Sequence, residues 1–268
     1  MSFDLNHKHL PSFVILTNCL LLITCSLIVF NGPSAEKLYN HKNMKWQTKT
    51  TSHFKLYFEA ETYAHKNLSV LKKGVEKLYS HILSLLGEKA YNDTIHIFIV
   101  DSRKTMKDLL GWETNGSAFP KQNVACYVYS KAVKAATSHH EITHIISINL
   151  WGNSQTWIKE GVAVYSDNCW HGYSLHGLCK YLMKKHTLVP LKSLMTKFNS
   201  YNDLITYPQA GSFVKFLYEN YGLETVKRIW KKGGHSIPAI IGKDLETLEQ
   251  EWHNILNKNE LTNIKYEL

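Results

Sequence analysis

The pattern of hydrophobic and polar residues predicts three strands in the first half of the chain. Residues 53–58 alternate between polar and apolar positions, which is typical of a strand. Residues 60–86 carry apolar side chains every three or four positions, which indicates a helix with one buried face that Gly87 is suited to end. Residues 94–100 are rich in β-branched side chains and predict a buried strand, whereas residues 111–120 are rich in turn-forming residues.

A further strand is predicted at residues 124–129, directly before a helical segment at residues 135–150. This strand is either the rim of a cleft that pairs with an extended peptide or an ordinary interior strand. A second helical segment is predicted at residues 155–165. The order of elements predicts an α+β, mostly helical fold, in which a small N-terminal mixed sheet has an edge strand next to the helix of residues 135–150 and a helical C-terminal part follows.

The N-terminal region contains an uncharged apolar run of 18 residues, residues 13–30, preceded by Lys8. Its length lies at the border between a signal-peptide core and a membrane-spanning helix, and a buried core helix is the alternative. Both leading interpretations export the rest of the chain, which would face outside the cytoplasm on a membrane anchor or be secreted or periplasmic. We therefore divide the chain into a signal peptide or anchor (1–35), a linker (36–51), one domain (52–258) and a tail (259–268).

The composition of the chain limits the classes of function that the protein can have. The chain has 268 residues, of which 44% are hydrophobic and 20% charged, as in ordinary globular domains. The net charge is +9, but the lysines are scattered, so we expect no nucleic-acid partner. No C-x-x-C pair occurs among the five cysteines, which leaves a thiolate zinc site unsupported. Cys169 and Cys179 could form a disulfide in an exported domain, although the sequence does not decide this.

The candidate chemistry lies in the helical segment at residues 135–150. His140 and His144 are four positions apart, so a helix presents both imidazoles on one face to a single ion, as in the H-E-x-x-H zinc motif. Glu141 is placed to take a proton from a reacting water without being a ligand itself. The alternatives are a helix with two ordinary histidines and a membrane-attached structural protein in which the histidines are incidental.

A third ligand is predicted on the next helical segment. Glu160 follows His144 by sixteen positions, and after a tight turn it can reach an ion held by the first helix. A His₂Glu site of this kind leaves one coordination position open. Gly161 and Ala163 are small and would let the two helices approach closely. The alternative is a solvated glutamate near a helix N-terminus.

The motif at residues 140–144, combined with the segment 157–165 (WIKEGVAVY), resembles the gluzincin metallopeptidases, specifically the peptidase MA-like family of exported and membrane-attached proteins. Residues 207–222 and 242–252 are similar to later helices of that family. The resemblance extends over residues 52–256 and implies a zincin-like fold for the domain.

The resemblance also implies functional roles. His140, His144 and Glu160 would hold Zn²⁺, Glu141 would be the general base, and Tyr207 would donate a hydrogen bond to the oxyanion. The implied activity is zinc-dependent hydrolysis of a peptide or protein substrate. The alternative is a catalytically weak or inactive zincin-like domain that binds peptides of the cell envelope.

One position departs from the family pattern. Many relatives carry an acidic residue four positions after the ligand glutamate, where it orients a zinc histidine, but this chain has Val164. Asp167 is expected to lie on a different helical face, which leaves Asn149 or a backbone carbonyl to orient the histidine. Three other histidines are alternative oxyanion donors, although we favour surface positions for them: His171, His176 and His235.

Overall fold

The computed structural model describes residues 35–133, 138–259 and 266. The apolar segment at residues 13–30 and nearly all of the tail lie outside these described residues, so the structure does not bear on the predicted signal peptide or anchor. Among the helices that it describes, none is both long and apolar enough to cross a membrane.

Seven strands are present in the described chain: β1 Gln47–Thr50, β2 Phe54–Phe58, β3 Ile95–Val100, β4 Gly116–Phe119, β5 Val124–Val128, β6 Cys169–Trp170 and β7 Tyr173–Ser174. The helices are α1 Glu36–Tyr39, α2 Tyr63–Lys66, α3 Leu68–Leu86, α4 Arg103–Leu110, α5 His140–Trp151, α6 Thr156–Asp167, α7 Leu175–Lys184, α8 Leu191–Thr196, α9 Asp203–Tyr221, α10 Leu223–Lys232, α11 Ile237–Ile241 and α12 Leu245–Lys258. Short 3-10 helices occur at Pro120–Gln122, Phe198–Ser200 and Gly234–Ser236.

Five strands form a mixed sheet in the order β1-β2-β3-β5-β4. The three inner strands are parallel, whereas β1 and β4 pair antiparallel with β2 and β5. The predicted fold class is confirmed: a small mixed sheet comes first, its edge strand lies next to α5, and a helical part follows.

The edge strand is not the one considered from the pattern. The strand predicted at residues 124–129 is interior, because residues 116–119 pair along its outer side as β4. The sequence of residues 111–120 predicts a turn because β4 is short and contains glycine and alanine. Only the pairing of β4 with β5 makes it a strand. Residues 36–51, predicted as a linker, contain α1 and β1, and β1 pairs with β2 along its whole length.

The sheet separates two hydrophobic layers because successive side chains of each strand point to opposite faces. On one face Leu56, Ile97 and Ala125 pack into the main core with α3 and α5. On the other face Phe98 and Cys126 pack beneath α1 and α4. The helix α5 therefore lies against the sheet, and its N-terminal residues are held at one end of β4 and β5.

The helical part is built on a close contact between α6 and α9. A Cβ atom on Gly161 would lie 2.6 Å from Val214 Cγ2 and 2.9 Å from the carbonyl oxygen of Ala210. A Cβ atom on Gly211 would lie 2.4 Å from Val164 Cγ1. We expected the small residue at 161 to serve contact with α5, but its nearest neighbours belong to α9. The two glycines thus set the spacing between the helix that carries Glu160 and the helix that carries Tyr207.

Candidate metal centre

The two motif histidines lie in the first two turns of α5. Ile142, Ile145 and Ile146 of this helix are fully buried in the main core. Because helical residues three and four apart share a face, burial of these isoleucines turns His140 and His144 away from the sheet and toward α6. Their rings are nearly perpendicular, with centroids 4.7 Å apart.

The carboxylate of Glu160 meets both histidines. Its Oε2 lies 3.2 Å from Nε2 of His140 and 3.2 Å from Nε2 of His144, and the two Nε2 atoms are 3.1 Å apart. The three side chains are 16%, 17% and 11% exposed for Glu160, His140 and His144. Three donor atoms therefore form a nearly equilateral triangle that is largely shielded from solvent.

This donor set fits a zinc ion. Ligand atoms about 2.0–2.1 Å from a tetrahedral zinc are about 3.3 Å from one another, close to the sides of the observed triangle. Two imidazole nitrogens and one carboxylate oxygen are also ligands that zinc prefers at catalytic sites. In the part of the chain that the structure describes, this is the only group of three or more such residues whose ligand atoms lie within 4.8 Å of one another.

The charges of the site favour an ionised Glu160. Burial raises the pKa of this carboxyl, but the positive charges of His144 and His140 and their hydrogen bonds outweigh burial and hold it well below its usual range. Burial alone would lower the pKa of His140, yet the hydrogen bond that its ring donates to Glu160 and the negative charges of Glu141 and Glu160 raise it to about 9. A metal ion that bound here would therefore have to displace a proton from His140.

Glu141 lies beside the ligands and against the edge strand. Burial raises the pKa of its carboxyl, while the charges of His140 and His144 oppose that rise. Behind it lies Tyr127 of β5, which is fully buried, and the pKa of this phenol is raised by burial and by the charge of Glu141. The sequence offered no signal for Tyr127, since it reads as one apolar position of a strand.

Tyr207 lies on α9, across the cleft from the edge strand. Its ring stacks at 23° to the ring of His140 with centroids 6.4 Å apart, and it also contacts the rings of Trp170 and Phe198. Burial and the charge of Glu160 raise the pKa of Tyr207 well above its ordinary value. The phenol therefore stays protonated at neutral and moderately alkaline pH and can donate a hydrogen bond.

Asp167 is placed differently from our expectation. It lies seven residues after Glu160, almost two full turns, so both residues are on the same side of α6. Its carboxylate accepts hydrogen bonds from the Ser138 hydroxyl at 2.7 Å, the backbone N–H of His139 at 2.7 Å and Nδ1 of His139 at 3.0 Å. Asp167 thus fixes the first residues of α5 and does not take the orienting role toward His140 or His144.

Asn149 does not take the orienting role that we considered for it. Its side-chain amide donates to the carbonyl of Pro120 at 2.8 Å and to Oδ1 of Asn123 at 2.9 Å. These bonds tie the C-terminal half of α5 to the residues that directly follow β4. The helix and the edge strand are therefore connected near both ends, through Glu141 against Gly116 and through Asn149 with Pro120.

The other candidate histidines divide between cleft, core and surface. His171 is exposed in the turn between β6 and β7 and lines the cleft. His235 is exposed on a 3-10 helix. The surface position favoured for His176 is wrong: this residue is buried on α7, with Nδ1 2.8 Å from the Ser212 hydroxyl. Cys169 and Cys179 are both free thiols, the first exposed on β6 and the second buried in α7.

His140, His144 and Glu160 form the floor of a cleft. The edge strand and the loop before it form one wall, from Thr114 to Ala118, and Trp170, Asp203 and Tyr207 contribute to the opposite wall. A mixed sheet whose edge strand runs beside a His-Glu-x-x-His helix, with a helical part after it, defines a domain of the metallopeptidase type.

The comparison with known families agrees with this class. Residues 80–258 match the family model described as Peptidase MA superfamily, so the chain belongs to that superfamily and the gluzincin-like resemblance is confirmed. No curated protein matches the chain. Among solved structures it is similar to an aminopeptidase N family protein from Idiomarina loihiensis, with a TM-score of 0.40, 14% identity and coverage of 78% of this chain and 46% of that chain. The chain thus spans less than half the length of that protein.

Proposed function

We propose that the protein is a zinc-dependent peptidase that holds its ion with His140, His144 and Glu160. The observation that carries this proposal is the convergence of these three donor atoms, with sides of 3.1 and 3.2 Å, next to a carboxylate and at the floor of a cleft. Zinc bound here would supply electrophilic polarisation of a carbonyl group and a nucleophile at neutral pH.

Glu141 is the general base of the proposed reaction. Its carboxylate takes a proton from the attacking water as the C–O bond forms, and it then passes that proton to the leaving amine as the C–N bond breaks. Burial raises the pKa of Glu141, which brings its basicity closer to that needed for proton transfer near neutral pH. Membership of the superfamily supports the assignment. The presence of Glu141 also favours catalysis, since binding alone does not require a base.

Tyr207 is the proposed donor to the tetrahedral oxyanion. It lies on the wall opposite the edge strand and beside His140, and it keeps its proton because its pKa is raised. A donor that is aimed at developing negative charge contributes about 3–4 kcal/mol to lowering the barrier. This role is compatible with the packing of the same ring against Trp170 and Phe198.

The proposed substrate is a peptide or protein segment in extended conformation. β4 pairs with β5 along one side, and no described strand pairs with its other side. Free backbone N–H and C=O groups of an edge strand bind an extended chain by adding it to the sheet. β4 lies beside the metal ligands, so a peptide bound along it would present its backbone to Glu141.

We further propose that the domain works outside the cytoplasm. This proposal rests on the uncharged apolar run at residues 13–30, which either anchors the chain in a membrane or serves as a signal peptide. Recovery of the full chain from membranes only with detergent would support the anchor. A soluble form whose N-terminus follows residue 35 would support cleavage, and cytoplasmic retention would contradict both.

The experiment that tests the peptidase proposal combines metal analysis with digestion of a peptide library. We expect one zinc per chain in the wild type and in Glu141→Gln, and cleavage by the wild type alone, because the amide keeps the shape of the side chain and cannot accept the proton. Glu246→Gln, an exposed substitution on α12, is the matched control and should cleave normally.

Two other outcomes are informative. Zinc in both proteins with cleavage by neither would favour a zincin-like module that binds peptides without hydrolysing them. Full metal content in His140→Ala would show that the ion is held elsewhere.

A further inference from the structure

The first residue of the edge strand lies against the proposed general base. A Cβ atom added to Gly116 would lie 2.6 Å from Oε1, 3.0 Å from Cγ and 3.1 Å from Cδ of Glu141. These distances are well inside van der Waals contact, so a side chain on residue 116 and the present position of the Glu141 carboxylate are incompatible. The backbone conformation of Gly116 does not itself require glycine, since it is not among the positive-φ residues.

We infer that Gly116 is a positioning residue: the absence of a side chain there sets where the carboxylate of Glu141 lies between the edge strand and the metal ligands. The inference rests on the proposed role of Glu141 as the base. Any larger residue at position 116 would push the carboxylate out of its place and leave the ligand triangle intact.

The backbone at Gly116 is held too firmly to move instead. The hydroxyl of Thr114 donates to the carbonyl of Gly116 at 2.6 Å and accepts from its N–H at 3.3 Å. On the other side Gly116 pairs with Tyr127 of β5, and the N–H of Val128 donates to the carbonyl of Asn115 at 2.9 Å. Two sets of bonds thus fix this end of β4.

The backbone of Glu141 is equally fixed. Asp167 holds Ser138 and His139, which lie three and two residues before Glu141, and the residue after Glu141, Ile142, is fully buried in the core. In the contact between Gly116 and Glu141, the atoms that can move are therefore the outer atoms of the Glu141 side chain. A change at Gly116 should act on the carboxylate and spare the fold, since the clash involves the flexible end of a side chain.

The test is Gly116→Ala compared with Gly74→Ala. Gly74 lies in α3, and a Cβ atom there would meet nothing within 4 Å. We expect Gly116→Ala to melt like the wild type and to bind zinc with unchanged affinity, while kcat falls about 10- to 100-fold and KM changes little, because small misplacement of a catalytic group costs rate. Gly74→Ala should match the wild type in kcat, KM and zinc affinity.

A double-mutant cycle separates positioning from a general structural effect. Aspartate in place of Glu141 is one methylene shorter, so it lacks the outermost atom, Oε1, which would approach a Cβ at residue 116 most closely, at 2.6 Å. We therefore expect Gly116→Ala to reduce kcat much less in a Glu141→Asp background than in the wild type. Equal losses in both backgrounds would overturn the inference.

A crystal structure of Gly116→Ala gives an answer that does not depend on activity. The expected result is a displaced Glu141 carboxylate with His140, His144 and Glu160 in place. An unmoved carboxylate beside a shifted β4 would overturn the inference. Absence of cleavage by the wild type would instead count against the proposed function, and the crystal structure would still decide whether Gly116 sets the position of Glu141.

Discussion

At the scale of single residues, Asp167 connects the two helices that carry the proposed ligands. Burial raises the pKa of this carboxyl, but hydrogen bonds from His139 and Ser138 outweigh burial and lower it below its usual range. Ser138 in turn accepts from the N–H of His140 at 3.2 Å. One carboxylate at the end of α6 therefore satisfies N–H and O–H groups at the start of α5, where a helix has no partners of its own for them.

We predict that Asp167→Asn lowers the free energy of unfolding of the metal-free protein by about 1–3 kcal/mol at neutral pH, because hydrogen bonds to a charged acceptor are weakened. A lowered pKa stabilises the fold above the unfolded pKa of about 3.9, and this contribution is lost as pH falls through the folded value. The difference between the two proteins in urea denaturation should thus be full at neutral pH and should shrink at pH 4 and below.

The control for this prediction is Asp244→Asn. Asp244 caps the exposed start of α12 by accepting from the N–H of Thr247, far from the ligands in sequence. Asp244→Asn should reduce the free energy of unfolding less than Asp167→Asn does, and it should leave zinc affinity unchanged. A pH-independent effect of Asp167→Asn would contradict the role that we assign to the charge.

The residues of the site differ in how well they could be predicted from the sequence. His140, Glu141 and His144 are recognisable because zinc chemistry demands these residue types at this spacing on one helix. Glu160 could be placed because the next helix is near in sequence. Gly116 could not, since its contact with Glu141 depends on the register of β4 beside α5, which no local pattern encodes.

At the scale of elements, α6 is the central helix of the site, because it contacts α5 on one side and α9 on another. The contact with α9 leaves no room at Gly161, where a Cβ would lie 2.9 Å from a backbone oxygen as well as 2.6 Å from Val214. A backbone atom cannot rotate away, so an added methyl group must separate the two helices.

We predict that Gly161→Ala destabilises the protein by about 1–3 kcal/mol in urea denaturation, as overpacking of a well-filled core does. It should also weaken zinc binding, since the neighbouring residue is Glu160. Gly74→Ala is the matched control in an uncrowded helix and should be neutral or stabilising by up to about 1 kcal/mol. Stability of Gly161→Ala equal to that of this control would show that the two helices can separate without cost.

The elements also show which kinds of secondary structure can be predicted from a sequence pattern. Helical periodicity correctly indicated α3, because one buried stripe repeats over several turns. The strand β4 was read as a turn, since four residues that include glycine and alanine carry no signal of their own. The same limit applied to Gly161, whose small size was noticed while its partner helix α9 was not.

At the scale of the whole molecule, the cluster of His140, His144 and Glu160 couples the stability of the fold to pH and, through the proposed zinc site, to metal. The pKa of His140 is raised to about 9 in the metal-free protein, against about 6.5 for an unfolded histidine. A raised pKa stabilises the fold fully below the unfolded value, and this contribution is lost as pH rises through the folded value.

We predict that the metal-free protein loses stability, by an amount on the order of 3 kcal/mol, between about pH 6.5 and pH 9. The zinc-loaded protein should not show this loss, because its ligands are already deprotonated and the ion stabilises the folded chain by mass action. Thermal melts across this pH range, with and without chelator, measure both effects. His140→Gln should remove the pH dependence of the stability of the metal-free protein. If the pH dependence persists in this variant, it arises from another group.

The close spacing of the three proposed ligands along the chain has a consequence for the order of folding. All three lie within two consecutive helices, whereas the walls of the cleft come from β4 before them and from α9 after them. Contacts between residues that are near in sequence close at low entropic cost, so they form early. We therefore expect the α5–α6 hairpin to be able to bind the ion before the cleft exists, which would make metal uptake a step in maturation that precedes catalytic competence.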